Sequence, residues 1–245
     1  MRIENAVIAM RADSAAEVKS YYEQIASIPP IVSVLTWIEV SMNISAATEI
    51  RGDVGAPHGQ NRHWKVACSI TLAIAAAVTL WLMGQPLWCK CGGWSLWWWD
   101  IWSPHNSQHL IDPYTASHVL HGVIFCGLFF WLPGSVSLNA RFLTAIVLEV
   151  GWEILENSPI IIARYRAATI ATGYSGDSVI NAVADILACA IGYAIAFRLG
   201  AAKSLIFFFA TELIVLVCVR DCLILNVVML VWPIEAIKVW QMASL

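Results

Sequence analysis

Three groups of ionisable residues recur at helical spacing inside apolar sequence. His118 and His121 stand three apart. Glu149, Glu153 and Glu156 stand four and then three apart, and Asp177, Asn181 and Asp185 repeat every fourth residue. In a helix each set falls on one face. Imidazole and carboxylate together offer two kinds of chemistry: they move protons as general acid and base, and they form a ligand set for zinc, manganese or iron. His118, His121, Glu149, Glu153 and Asp177 are therefore the candidate catalytic residues, and His118, His121 and Glu153 the candidate ligands of a divalent metal. A hydrogen-bonded polar core that only organises the helices, with Asp177 as a helix cap, is the competing explanation. A proton or ion path is a third.

The chain that must position these groups has 245 residues, of which 59% are hydrophobic and 13% charged, with mean hydropathy +0.70. Soluble domains run near 45–50% and about 25%. A disordered chain and an ordinary soluble enzyme are thereby excluded, and a net charge of −3 gives no grip on nucleic acid. The composition is that of an integral membrane protein. Charge is also uneven, since 13 of the 31 charged residues lie within positions 1–66. Residues 1–63 read as a polar, poorly ordered extension and 64–245 as a transmembrane helical domain.

Apolar runs divide the domain into an all-α bundle of five spans: 66–83, 114–132, 141–157, 177–197 and 204–219. A helix needs about 20 apolar residues to cross. Segment 222–239 is apolar but holds Pro233, Glu235 and Lys238, so it reads either as a short sixth span or as a re-entrant piece. Between the first two spans lies a loop dense in tryptophan, suited to a membrane surface because indole has an apolar body and a polar N–H. It contains Cys89-x-Cys91, where a mutual disulfide is strained and a metal site needs partners that the sequence does not identify. Cys68, Cys126, Cys189 and Cys218 read as small core fillers. Gly-x-Ser-x-Gly, P-loop, dinucleotide and His-Glu-x-x-His motifs are absent from the sequence.

Lys and Arg near span ends set the orientation. Arg62 and Lys65 place the start of the first span, and with it the N-terminus, in the cytoplasm; Arg141, Arg198 and Lys203 agree, while Arg164 and Arg166 dissent and are expected to pair with nearby acids. On this topology His109, Asp112, His118, His121, Glu149, Glu153, Glu156, Asn157, Arg166, Asp177, Asn181, Asp185 and Asp221 all fall toward the outer side. Ionised groups in a spanning helix cost about 2.5–3.5 kcal/mol each on insertion scales, so they turn toward a polar interior and partner one another. The expectation is one outward-opening polar pocket lined by these residues.

Several stretches resemble a known family. They are Asn106-Ser107-Gln108-His109, Asp112-Pro113-Tyr114, Ser117-His118-Val119-Leu120-His121-Gly122, Glu149 through Pro159, Gly176-Asp177-Ser178 and Pro233 through Lys238. They are similar to the bacterial membrane proteins of domain of unknown function 2585, also called uncharacterised protein family 0314, over residues 64–241. The resemblance implies a multi-pass inner-membrane protein and brings no activity with it. A more distant likeness is to VanZ-like membrane families, carried by the order Asp112, His118, Glu149 or Glu153, Arg166, Asp177 or Asp185, Asn181 and Gly192; its doubled acids and second histidine depart from that pattern. The expected function is that of an envelope enzyme acting on a lipid or lipid-linked substrate. A non-catalytic accessory protein is the alternative, and a small transporter a weaker one.

Overall fold

The computed structural model describes residues 60–133, 135–171 and 173–243, and these form eight helices. In chain order they are α1 (Gln60–Leu82), α2 (Thr115–Phe130), α3 (Leu138–Glu156), α4 (Pro159–Ala168), α5 (Val179–Leu199), α6 (Ala201–Val219), α7 (Leu223–Val231) and α8 (Glu235–Met242). No strand occurs among the described residues; an isolated bridge joins Trp97 to Ile111 in the loop between α1 and α2. The expected polar extension lies outside the described residues, except that α1 already begins at Gln60.

Three segments are long and apolar enough to cross a membrane: Trp64–Leu82 of α1, Val179–Leu199 of α5 and Ala201–Val219 of α6. Their outward faces are apolar. Val66, Ile70, Ile74, Val78 and Trp81 line the exposed side of α1, and Leu205, Ile206, Phe209, Leu213 and Val217 that of α6. Such continuous exposed apolar faces suit lipid rather than water. Helix α2 is apolar but has only 16 residues, and α3 carries Arg141, Glu149, Glu153 and Glu156. The apolar stretch 222–239 is no single span. It breaks at Pro233 into α7 and α8, of nine and eight residues, each at most about 14 Å long.

Helix α5 is the central element, and more than half of its apolar stretch is buried. It packs closely against α2 because two glycines face each other's helix. A Cβ on Gly122 would collide with the Cys189 carbonyl oxygen, and one on Gly192 with that of Val119. This small-residue contact brings two backbones together where apolar surroundings give no hydrophobic drive for helix association. Ser137, Ser158 and Ser178 cap α3, α4 and α5 by accepting hydrogen bonds from Ala140, Ile161 and Asn181 N–H. Asp177 is therefore not the cap of α5, nor part of it. Ser178 takes that role, and Asp177 stands one residue outside.

The basic residues close helix ends. Arg141, buried at the start of α3, donates to the carbonyls of Phe129, Phe130, Leu132, Pro133 and Val136, which satisfies the C-terminal end of α2. Lys238 Nζ donates to Ala167 O at the end of α4 at 2.8 Å. The hydrogen bonds of Arg164 and Arg166 likewise go to main-chain carbonyls, of Leu230 and Val231 for the first and of Tyr174 for the second, instead of to the acids expected.

Candidate functional site

The short α2–α5 distance and the capped start of α3 set three polar faces against one another. His118 and His121 come from α2, Glu149 and Glu153 from α3, and Asp185 from α5. His118 Nδ1 lies 2.7 Å from Glu149 Oε1 and His121 Nδ1 lies 3.0 Å from Glu149 Oε2. A carboxylate accepts only, so each Nδ1 that bonds it carries a proton; in a neutral ring the Nε2 then holds the lone pair. Glu149 is thus shared between two imidazoles whose centroids are 5.1 Å apart. The Cys189 thiol, fully buried on α5, faces the same carboxylate.

Glu153 and Asp185 are paired less well. His118 Nδ1 stands 3.2 Å from Glu153 Oε1, and His118 Nε2 stands 3.9 Å from Asp185 Oδ2. Neither oxygen of Glu153, nor Asp185 Oδ1, nor either amide atom of Asn181 has a hydrogen-bond partner, and all are buried. Two sets of ligand atoms lie close enough to share a metal: His118, His121 and Glu149, and His118, Glu153 and Asp185. The trio expected from sequence, His118, His121 and Glu153, is split between them.

Next to the cluster is a cavity of about 680 Å3. Its polar lining includes His118, His121, Tyr114, Ser117, Asp177, Asp185, Asn106 and Ser107; α3 adds Val147, Leu148, Trp152, Leu155 and Glu156, and α7 adds Leu223, Asn226, Val227 and Leu230. Val147, Leu148 and Leu155 are about half exposed on the outside of the bundle. The lining is thus mixed and mainly apolar, where the sequence suggests a polar pocket. Glu149 and Glu153 lie behind its wall, fully buried.

The remaining predicted residues do other work. Asp177 accepts from Asn157 Nδ2 at 2.7 Å and from Tyr174 O–H at 2.9 Å, while its own N–H donates to Asn157 Oδ1 at 2.6 Å. That reciprocal pair ties the approach to α5 onto the end of α3. Glu156 lines the cavity together with Tyr165. Asp112 accepts from the N–H groups of Ser107, Tyr114 and Thr115 at the start of α2; burial holds it above the usual carboxylate range despite these bonds. Asp221 accepts from Tyr114 O–H at 3.0 Å and Gln241 Nε2 at 3.1 Å. Arg166 is exposed and does not line the cavity; His109 is buried in the tryptophan loop, away from it. Tyr114, Tyr165, Tyr174, Trp152 and Cys189 were not singled out as site residues, because a lone aromatic or thiol in apolar sequence gives no signal.

The model of the protein family of unknown function DUF2585 matches residues 80–243, which include every residue of this cluster. The chain belongs to that family. Among its relatives, a UPF0314 protein of Rhizobium etli (strain CIAT 652) is 46% identical over 73% of this chain and 91% of its own length. A UPF0314 protein of Rhizobium meliloti (strain 1021) is 48% identical over 73% and 90%. A UPF0314 protein of Paracoccus denitrificans (strain Pd 1222) is 42% identical over 72% and 91%. No solved structure matches the chain. The VanZ-like likeness rests on residue order alone.

Proposed function

We propose that this DUF2585 chain is an inner-membrane enzyme that acts by proton transfer on the headgroup of a lipid or lipid-linked envelope substrate. Its five-pass arrangement, with the N-terminus in the cytoplasm and the cavity toward the outer leaflet, follows the Lys and Arg distribution. The observation that carries the reading is a cavity lined by both histidines and by apolar side chains. Apolar α3 and α7 residues can take an acyl or prenyl tail, and His118 and His121 line the same cavity. Glu149 fixes both rings through Nδ1, as the carboxylate of a catalytic triad fixes its histidine, leaving Nε2 of His121 to accept a proton. Asp177 holds the wall in place through Asn157 and Tyr174.

A divalent metal, zinc, manganese or iron, held by His118, Glu153 and Asp185 is a second reading. It is favoured by the carboxylate oxygens of Glu153, buried without a hydrogen bond. Two variants, H121N and E149Q, test the proton-transfer reading. An inactive H121N protein, purified in mild detergent, should retain its lipid substrate. When that extract is offered to the wild-type chain and to E149Q, a species should be consumed by the wild type only. An extract unchanged by the wild type, or converted equally by E149Q, contradicts the proposal and leaves the cluster a structural network.

A further inference from the structure

The loop between α1 and α2 gathers a second set of ligand types. Cys89 and Cys91 are separated by one residue and His105 and His109 by three. In the fold, Cys89 Sγ lies 3.0 Å from Cys91 Sγ and 3.2 Å from His105 Nδ1. One ligand atom from each of the four residues falls within 4.8 Å of the other three. A tetrahedral zinc ion with Zn–S near 2.3 Å and Zn–N near 2.0–2.1 Å separates its ligand atoms by roughly 3.3–3.8 Å. To surround one, the two sulfurs part by about 0.8 Å and any pair at the 4.8 Å limit closes by about 1 Å, shifts within reach of side-chain rotation.

His109 points most directly to a ligand. Its Nδ1 lies 2.6 Å from the Ser95 carbonyl oxygen, which can only accept, so Nδ1 bears the proton. Its Nε2 then carries a lone pair, and that atom is buried with no partner on a residue 1% exposed. A ring fixed by a carbonyl at one nitrogen and open at the other is the usual outer-shell arrangement of a metal-binding histidine. The ring is also held by packing, stacked on Trp98 at 5.3 Å and edge-on to Trp88 at 5.6 Å. The Gly93 N–H points at Cys91 Sγ at 3.3 Å, as a donor to a thiolate would.

We propose that Cys89, Cys91, His105 and His109 bind one zinc ion that clamps the tryptophan loop. Two thiolates and two imidazoles fill all four positions, so the ion is structural, with no site left for substrate. Its consequence reaches the cavity. The segment between the two histidines holds Asn106 and Ser107, which line the cavity, and Gln108, whose Nε2 donates to Gly176 O at 2.7 Å. The clamp therefore sets the position of one cavity wall. This site shares no residue with the α2–α3 cluster and stands or falls independently of it.

Metal analysis of the full chain, purified in detergent without chelators, tests this. About one zinc per chain should be present, kept in H118N/H121N and lost in C89S/C91S and H105N/H109N. In case those variants do not accumulate, the wild-type chain is stripped and loaded with cobalt. Absorption bands of tetrahedral cobalt and a thiolate-to-cobalt transition should appear, and zinc should displace them. Zinc that is absent from the wild type, or lost from H118N/H121N but kept in C89S/C91S, overturns the proposal. So does a cobalt adduct without the thiolate band, or a Cys89–Cys91 disulfide in protein alkylated directly in cells.

Discussion

At the scale of the residue, Glu149 serves two histidines at once. Converting it to Gln keeps the shape but makes half of its polar head a donor, which cannot receive a proton from the ring it faces. E149Q should therefore lose activity while insertion and abundance hold, because the amide still fills the space. Asp221 offers a different residue-scale test. Burial raises it from 3.8 to about 6 against the hydrogen bonds of Asn226, Cys222, Tyr114 and Gln241 that lower it. The folded state thus prefers the protonated acid. That preference stabilises fully below about pH 4 and is lost as pH rises through about 6, a difference on the order of 3 kcal/mol at 1.36 kcal/mol per decade. The melting temperature in detergent should fall between pH 4 and pH 6.5 by more in the wild type than in D221N; identical slopes would remove Asp221 from the account.

Also at this scale, the residues that carry chemistry were the most legible part of the sequence. His118 and His121, and Glu149 and Glu153, stand out because ionisable groups at helical spacing in an apolar span are costly and must meet partners. Groups whose partners come from loops were not legible. Cys89-x-Cys91 looked incomplete because His105 and His109 reach it only through a chain path of turns. Cys189 read as core filler, since nothing local reveals that it faces Glu149. The spacing of Asp177 to Asn181 and Asp185 fits a helix, whereas Ser178 caps one that begins only at Val179.

At the scale of the element, α2 and α5 depend on the missing side chains of Gly122 and Gly192. G192A drives a methyl into the Val119 carbonyl, and backbone cannot step aside as a flexible side chain does. Overpacking of this kind costs roughly 1–3 kcal/mol. It should also separate His118 and His121 from Glu149, so activity should fall further than stability. Arg141 is the second case. The sequence marks it as a topology charge, yet it closes the end of α2 with a planar fork of donors. R141K keeps the charge and loses the fork. Each buried carbonyl left unpaired costs on the order of 1–3 kcal/mol, which should show as a lower melting temperature. An unchanged R141K protein would mean that the charge alone matters. The break of 222–239 into α7 and α8 was open in the sequence, because Pro233 permits either a kinked span or two short helices.

At the scale of the whole molecule, α1 and α6 present exposed apolar faces, and a polar cluster lies beside a cavity lined by polar and apolar residues. On the proposed topology that cavity lies toward the outer leaflet. An alkaline phosphatase fusion at Ser107 should therefore be active in cells and one at Asn139 inactive; the reverse pattern would invert the topology. The central claim is that the cavity brings a lipid to the Glu149-bound histidines for chemistry. Lipid mass spectrometry of membranes from a deletion strain, complemented by wild type, H121N or E149Q at equal protein abundance, tests it most directly. A lipid or lipid-linked species should accumulate in the deletion, disappear with the wild type, and persist with both variants. Membranes that look alike with and without the chain, or a full return to normal with H121N and E149Q, would contradict it.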